Sequence, residues 1–176
     1  MRSLPLICIL ALSAAPALAT APEVPSNAPF LVLADNMDEP NGYGFCIDTA
    51  GRGQTDILQA HTCKPARQGR GPHDTQFAYD AVAQRVESVA FPGQCMQVLR
   101  SPYTTVFGLL TCSDHPRQQF LLSEQDGTLR MVEEPSLCVS VSGQTVAAGP
   151  WSRRDLALTV CDDTDATLKQ WTFVAE

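Results

Sequence analysis

The chain repeats itself three times, and cysteines mark each copy. Cys46 and Cys63 stand 17 residues apart, Cys95 and Cys112 also 17, and Cys138 and Cys161 23. Each first cysteine opens an apolar-polar step: Cys46-Ile47-Asp48, Cys95-Met96-Gln97 and Cys138-Val139-Ser140. Each second cysteine closes a strand-like run, and a Gln-aromatic pair follows it: Gln76-Phe77, Gln119-Phe120 and Gln170-Trp171. A unit of about 40–50 residues that recurs in this way buries its apolar face against its own copies, which sets the architecture before any single residue is weighed.

The first 19 residues have the parts of an export signal. Arg2 is the positive start, Leu4 to Leu12 the apolar stretch, and Ala17-Leu18-Ala19 the small-x-small cleavage site. The stretch is too short and too interrupted by proline for a spanning helix. No second run qualifies, so membrane insertion is not expected. Cys8 falls inside the signal and leaves with it. Six cysteines then remain in an exported chain, and an even count in that setting reads as three disulfides. Zinc is disfavoured because no C-x-x-C pair occurs. Each bridge contributes ~3 kcal/mol in the loop-entropy picture, a large share of a usual total of ~5–15 kcal/mol.

The rest of the chain fits one domain. Residues 20–29 hold Pro22, Pro25 and Pro29 with no apolar period, as a linker or an extended strap does. The repeats run over 30–80, 81–123 and 124–176. No helical period persists for three turns. Short runs such as Phe30-Leu31-Val32-Leu33, Val86-Glu87-Ser88-Val89 and Leu129-Arg130-Met131-Val132 read as strands. Asp126-Gly127 reads as a hairpin turn, where glycine supplies the positive φ. Ahead of each second cysteine, Leu58, Ala60 and Thr62, then Phe107, Leu109 and Thr111, then Leu156, Leu158 and Val160 alternate toward a core. Only the first repeat sets two polar side chains, Gln59 and His61, on the opposite face. Without the signal the chain has 11 Lys and Arg against 19 Asp and Glu, a formal charge of −8. That disfavours nucleic acid or anionic lipid as partners. The basic stretch Lys64, Arg67, Arg70 and His73 reads as a solvated loop.

No G-x-S-x-G, P-loop, H-E-x-x-H or dinucleotide glycine pattern occurs, and the paired cysteines leave no spare thiol nucleophile. His61, His73 and Asp74 make too thin a set for a metal. Asp162-Asp163-Thr164-Asp165 lacks the glycine and terminal glutamate of a calcium loop and reads as a solvated turn. No carboxylate pair among the 19 acids is singled out for glycoside hydrolysis. Neither a cofactor nor an enzymatic activity is expected.

Taken together, the three cysteine-apolar-polar starts, the three strands ending in cysteine and the three Gln-aromatic ends resemble the ricin B-type lectin repeat. The likeness covers residues 30–176 and implies an all-β fold, the β-trefoil: twelve short strands, six closing a barrel and three hairpins capping it. The expected bridges are one per repeat, Cys46–Cys63, Cys95–Cys112 and Cys138–Cys161. The family's Gln-x-Trp end is altered here to Thr75-Gln76-Phe77, Gln118-Gln119-Phe120 and Lys169-Gln170-Trp171. The aromatics of these ends are expected in the core.

The family's sugar pockets use an Asp two residues after the first cysteine, a Gln and a stacking aromatic ahead of the second, and an Asn-Gln pair before the motif end. The first repeat matches in part, with Asp48, Gln59, His61 at the platform position, and Asp74 and Thr75 for the pair. A carboxylate accepts hydroxyl hydrogen bonds, and Gln and Thr both donate and accept. Imidazole is a smaller platform than indole, so weak affinity is expected. The second repeat has Gln97 and Leu110, the third Ser140 and Thr159, and both read as inactive by this scheme. Tyr103 and Trp151 are expected in loops, as contact anchors or as local packing.

The resemblance implies a secreted or periplasmic carbohydrate-binding module whose partner is a glycan, with galactose-like sugars the family's common choice. The alternative is a protein-interaction module or toxin-accessory subunit on the same scaffold, with a secreted protein as partner and no sugar bound.

Overall fold

The structure, a computed structural model, describes residues 20–51, 53, 57–66, 74–100 and 105–175. The proposed signal, Arg67, Arg70, His73 and Tyr103 lie outside the described residues. The first repeat forms β1 (Phe30–Leu33), β2 (Phe45–Thr49), β3 (Leu58–Thr62) and β4 (Phe77–Asp80). The second forms β5 (Arg85–Ser88), β6 (Gln94–Arg100), β7 (Thr105–Thr111) and β8 (Phe120–Leu122). The third forms β9 (Leu129–Met131), β10 (Leu137–Val141), β12 (Trp151–Val160) and β13 (Trp171–Val174). It also carries one additional short strand, β11 (Val146–Ala148). The only α-helix among the described residues is the single turn Ala166–Lys169.

The register shows why this is a trefoil. Within each repeat the first cysteine stands opposite one residue of the opening strand: Cys46 opposite Val32, Cys95 opposite Glu87, Cys138 opposite Arg130. One position further, each of those opening strands pairs with the aromatic of a repeat end: Leu33 with Trp171, Ser88 with Phe77, Met131 with Phe120. The last strand, β13, thereby pairs with the first, β1, and backbone hydrogen bonds from Phe77 N–H to Pro29 O and from Phe120 N–H to Gln84 O join the two sheets around the barrel. The hairpins β2–β3, β6–β7 and β10–β12 cap it, and β3, β7 and β12 touch one another. Each hairpin carries its own bridge: Cys46–Cys63, Cys95–Cys112 and Cys138–Cys161.

Phe77, Phe120 and Trp171 are buried in one core with Leu31, Leu33, Ile47, Phe107, Leu109 and Val139. The indole Nε1 of Trp171 donates to the Val139 carbonyl at 2.9 Å, so burial leaves its N–H satisfied. Of the residues expected to face inward, Leu58, Ala60, Thr62, Phe107, Leu109 and Leu156 are buried. Thr111 is exposed and Val160 is 45% exposed, because the last position before each cysteine lies where the strand leaves the barrel. Thr62 escapes this, covered by Glu39 and Ser152, whose oxygens accept from its hydroxyl. The turn at Asp126-Gly127 joins β8 to β9 with Gly127 at φ +69°, a conformation that favours glycine.

Phe30 and Val32 point away from the core and make a second small cluster with Cys46 and Cys63, and Val24, Ala28 and Tyr43 pack over it. This explains why β1 is apolar at every position. The cover is the segment 20–29, which is pinned along the first repeat. Glu23 N–H donates to Gly42 O, Ala66 N–H to Pro25 O and Phe77 N–H to Pro29 O. Ser26 Oγ donates to Lys64 O at 2.5 Å. Pro22 lies so close to Gly44 that a Cβ there would meet it at 2.5 Å. No described helix is long and apolar enough to cross a membrane.

The core triad gives a direct test. Phe77→Ala is expected to lower stability by about 3–5 kcal/mol, read in urea melts as a lower midpoint at unchanged slope. Val82→Ala, at a turn residue 97% exposed, is expected to stay within about 0.5 kcal/mol.

Candidate functional site

Asp48 and Gln59 stand opposite each other on β2 and β3, and His61 lies two residues along β3 on the same face. These three side chains were expected to look outward from the barrel. They do so, yet they are buried: Asp48 is 1% exposed, Gln59 7% and His61 7%. Part of the cause is a second neighbour. The start of β12 pairs with the free edge of β3, with Arg153 opposite His61 and Asp155 opposite Gln59. The other part is Lys64. Its ammonium lies 3.0 Å from Asp48 Oδ2 and 2.8 Å from Asp74 Oδ1, bridging the two carboxylates. The sequence placed Lys64 in a solvated loop. The structure holds it half-buried instead, because Ser26 and Pro25 fix the backbone of residues 64–66 against the strap.

The electrostatics follow from that burial. Desolvation, aided by the charge of Asp74, pushes the Asp48 carboxyl up to about 7, against the opposing pull of Lys64. Contacts from the Lys64 ammonium and the Thr49 backbone oppose that shift without forming well-aligned hydrogen bonds to either Asp48 oxygen. His61 Nδ1 lies 3.8 Å from Asp48 Oδ2 and 3.0 Å from the Thr62 carbonyl oxygen. Burial holds the imidazole below its ordinary pKa, so the ring is neutral at physiological pH. The cluster thus offers a buried acceptor, an amide, a neutral ring and an ammonium shared between two carboxylates.

Asp74 joins this group through Lys64, whereas Thr75 does not reach the surface. It is fully buried, with its Oγ1 unpaired among the described residues. Sequence reasoning missed Lys64, Arg153 and Asp155. The last two sit 90 or more positions from β3, and only the β3–β12 pairing brings them together. Trp151, expected in a loop, is the first residue of β12.

The corresponding positions in the other repeats are occupied internally. Gln97 accepts from Gln118 Nε2 at 2.9 Å, and the same amide donates to Thr111 O. They line an open depression of about 530 Å³ with Gln94, Leu110, Ser113 and His115. Ser140 Oγ accepts from Thr159 Oγ1 at 3.0 Å. Of these positions, among the described residues, Asp48 alone lacks a well-aligned hydrogen bond, although the Lys64 ammonium contacts it. The acidic turn Asp162, Asp163 and Asp165 is exposed.

Solved structures share this architecture. The C-terminal half of an earthworm R-type lectin, solved in complex with GalNAc, is matched with a TM-score of 0.55 at 10% identity. The match covers 85% of this chain and 100% of that one. The chain shares the β-trefoil fold of this lectin domain. A chain of the cytolethal distending toxin from Actinobacillus actinomycetemcomitans matches with a TM-score of 0.53 at 18% identity, over 82% of this chain and 90% of that one. GalNAc-T7, solved with UDP, GalNAc and Mn2+, matches with a TM-score of 0.50 at 14% identity over 74% of this chain. The chain spans only 20% of the length of GalNAc-T7. No family profile matches the sequence, and no curated protein matches it.

Asp48 gives this site a pH signature. A folded pKa above the unfolded value of 3.8 means that its contribution is fully present at low pH and is lost as pH rises toward about 7. The loss is roughly 1.4 kcal/mol for each unit between the two values. His61, with its folded pKa depressed, acts in the opposite sense as pH falls through its ordinary value. Asp48→Asn is therefore expected to raise the melting temperature at pH 8 more than at pH 5, measured by differential scanning calorimetry.

Proposed function

We propose that this is a secreted, non-catalytic carbohydrate-binding module whose ligand is a galactose-type glycan, held on the first repeat by Asp48, Gln59 and His61, with Asp74 bounding the site through Lys64. The observation that carries this reading is Asp48: a buried carboxylate met by the Lys64 ammonium at 3.0 Å but without a well-aligned hydrogen bond among the described residues, beside an amide and a neutral imidazole. Under-bonding of such a group is costly, and a pair of sugar hydroxyls is a donor set of matching size and polarity. Lys64 gates the approach. It already contacts Asp74, so it keeps one carboxylate partner when ligand hydroxyls take its place at Asp48. The imidazole gives a small stacking face, which keeps affinity modest. Three disulfides fit an oxidising destination outside the cytoplasm. The lectin neighbour solved with GalNAc supports the ligand class.

A second reading is a toxin-accessory or protein-interaction subunit that binds no sugar. It is favoured by the same Lys64 contact, which already engages Asp48, and by the likeness to a cytolethal distending toxin chain. A glycan array separates the two. The oxidised protein is expected to bind galactose-terminated glycans, and Asp48→Ala and Gln59→Ala to reduce the signal at least tenfold. Retention of an exported partner protein, with an array that stays dark, would replace the first reading by the second.

A further inference from the structure

We infer that the glycan site extends across the seam between the third and first repeats, with Trp151 as the stacking platform that the first repeat lacks and the Arg153–Asp155 pair as its polar edge. This rests on the carbohydrate-binding reading above and adds residues from a different repeat and a ligand length.

The alternation of β12 sets the geometry. Arg154 turns inward: its guanidinium lies 5.0 Å from the centre of the Phe45 ring and donates to the carbonyls of Ser142 and Met37. Trp151, Arg153 and Asp155 therefore turn outward together. The register aligns Arg153 with His61 and Asp155 with Gln59, on the face that carries Asp48. Arg153 and Asp155 form an ion pair with each other, which fixes donors and acceptors side by side along the strand.

Trp151 stands on a rigid base. Its ring centre is 6.3 Å from that of Tyr43, tilted by 47°, and Tyr43 packs over the cluster built on the Cys46–Cys63 bridge. Ser152 N–H donates to Thr62 Oγ1 at 3.1 Å, which locks the start of β12 onto the end of β3. Trp171 is sealed at 2% exposure, whereas Trp151 stays half-buried with part of its ring surface open. An ordered, partly exposed indole is a surface on which the C–H face of a sugar can lie at little entropic cost.

Length follows from the strand rise. From Trp151 to Asp155 is four positions, about 14 Å. One sugar ring is too short to touch both ends. The ligand is therefore an oligosaccharide of at least two rings, one on the first-repeat pocket and the next toward Trp151.

Titration of the 15N-labelled oxidised protein with galactose, lactose and lacto-N-tetraose tests this. The tetrasaccharide is expected to bind about tenfold or more tightly than galactose. Its addition should shift the indole N–H signal of Trp151 while that of Trp171, bonded to Val139 O, stays in place. Trp151→Ala should weaken tetrasaccharide binding about tenfold, and Gln59→Ala should weaken all bound sugars. An unmoved Trp151 signal, or equal affinity for galactose and the tetrasaccharide, would overturn the extended site and leave the first-repeat pocket standing. No binding of any of the three sugars would overturn both. The indole signal is read on the wild type, so the test stands even where a Trp151 variant folds poorly.

Discussion

Each repeat is joined to the next by one aromatic held in one register. Phe77, Phe120 and Trp171 sit opposite Ser88, Met131 and Leu33, one residue beyond the strand position that faces a cysteine. That spacing ties barrel closure to the disulfides. A slip by one residue would turn the aromatic out of the core and the cysteine into it, since side chains alternate along a strand. The ring closes only when β13 finds β1, so the first and last strands of the fold stabilise each other. Tyr79 adds a local lock, its hydroxyl donating to Phe120 O and accepting from Leu122 N.

The threefold pattern is broken at one seam. The third cysteine pair is 23 residues apart where the others are 17. The surplus builds β11 and lengthens β12 to ten residues, so that β12 pairs with β10 through its second half and with β3 through its first. The consequence is local and chemical. The outer face of β3 gains a flanking strand with an arginine and an aspartate, and the inner face gains Arg154 over Phe45. The other two hairpins show no such addition among the described residues.

Much of the fold was legible because it is written in periodic features. Cysteine spacing, the Gln-aromatic ends and the alternation in Leu58 to Thr62 each report a strand position directly. The hairpin at Asp126-Gly127 was readable because φ +69° demands a residue without a side-chain clash. The site was legible only where it is local. Asp48, Gln59 and His61 share a hairpin, so period-two reasoning puts them on one face. Lys64 was misjudged, because its environment is set by Ser26 and Pro25 from a segment with no periodic signal. Arg153 and Asp155 were invisible for a related reason: their neighbours come from a strand pairing across about 90 residues. Thr75 follows the family position but lies buried, a fact decided by packing around the motif end.

Burial of Asp48 makes little sense as a stabilising device. A buried ion pair seldom repays its desolvation unless hydrogen bonds saturate both partners, and here the carboxylate oxygens are unsaturated. Its pKa near 7 places the site on the edge of ionisation at physiological pH. Anything that donates to the ionised carboxylate must lower that pKa, and by linkage must also stabilise the fold. A ligand that donated to Asp48 would couple binding, proton release and stability there, with Lys64 as the internal competitor. The strap holds the backbone at Lys64 through Ser26, while the ammonium bridges Asp48 and Asp74. Residues 20–29 thus fix the backbone beside Lys64 as well as covering the Cys46–Cys63 cluster.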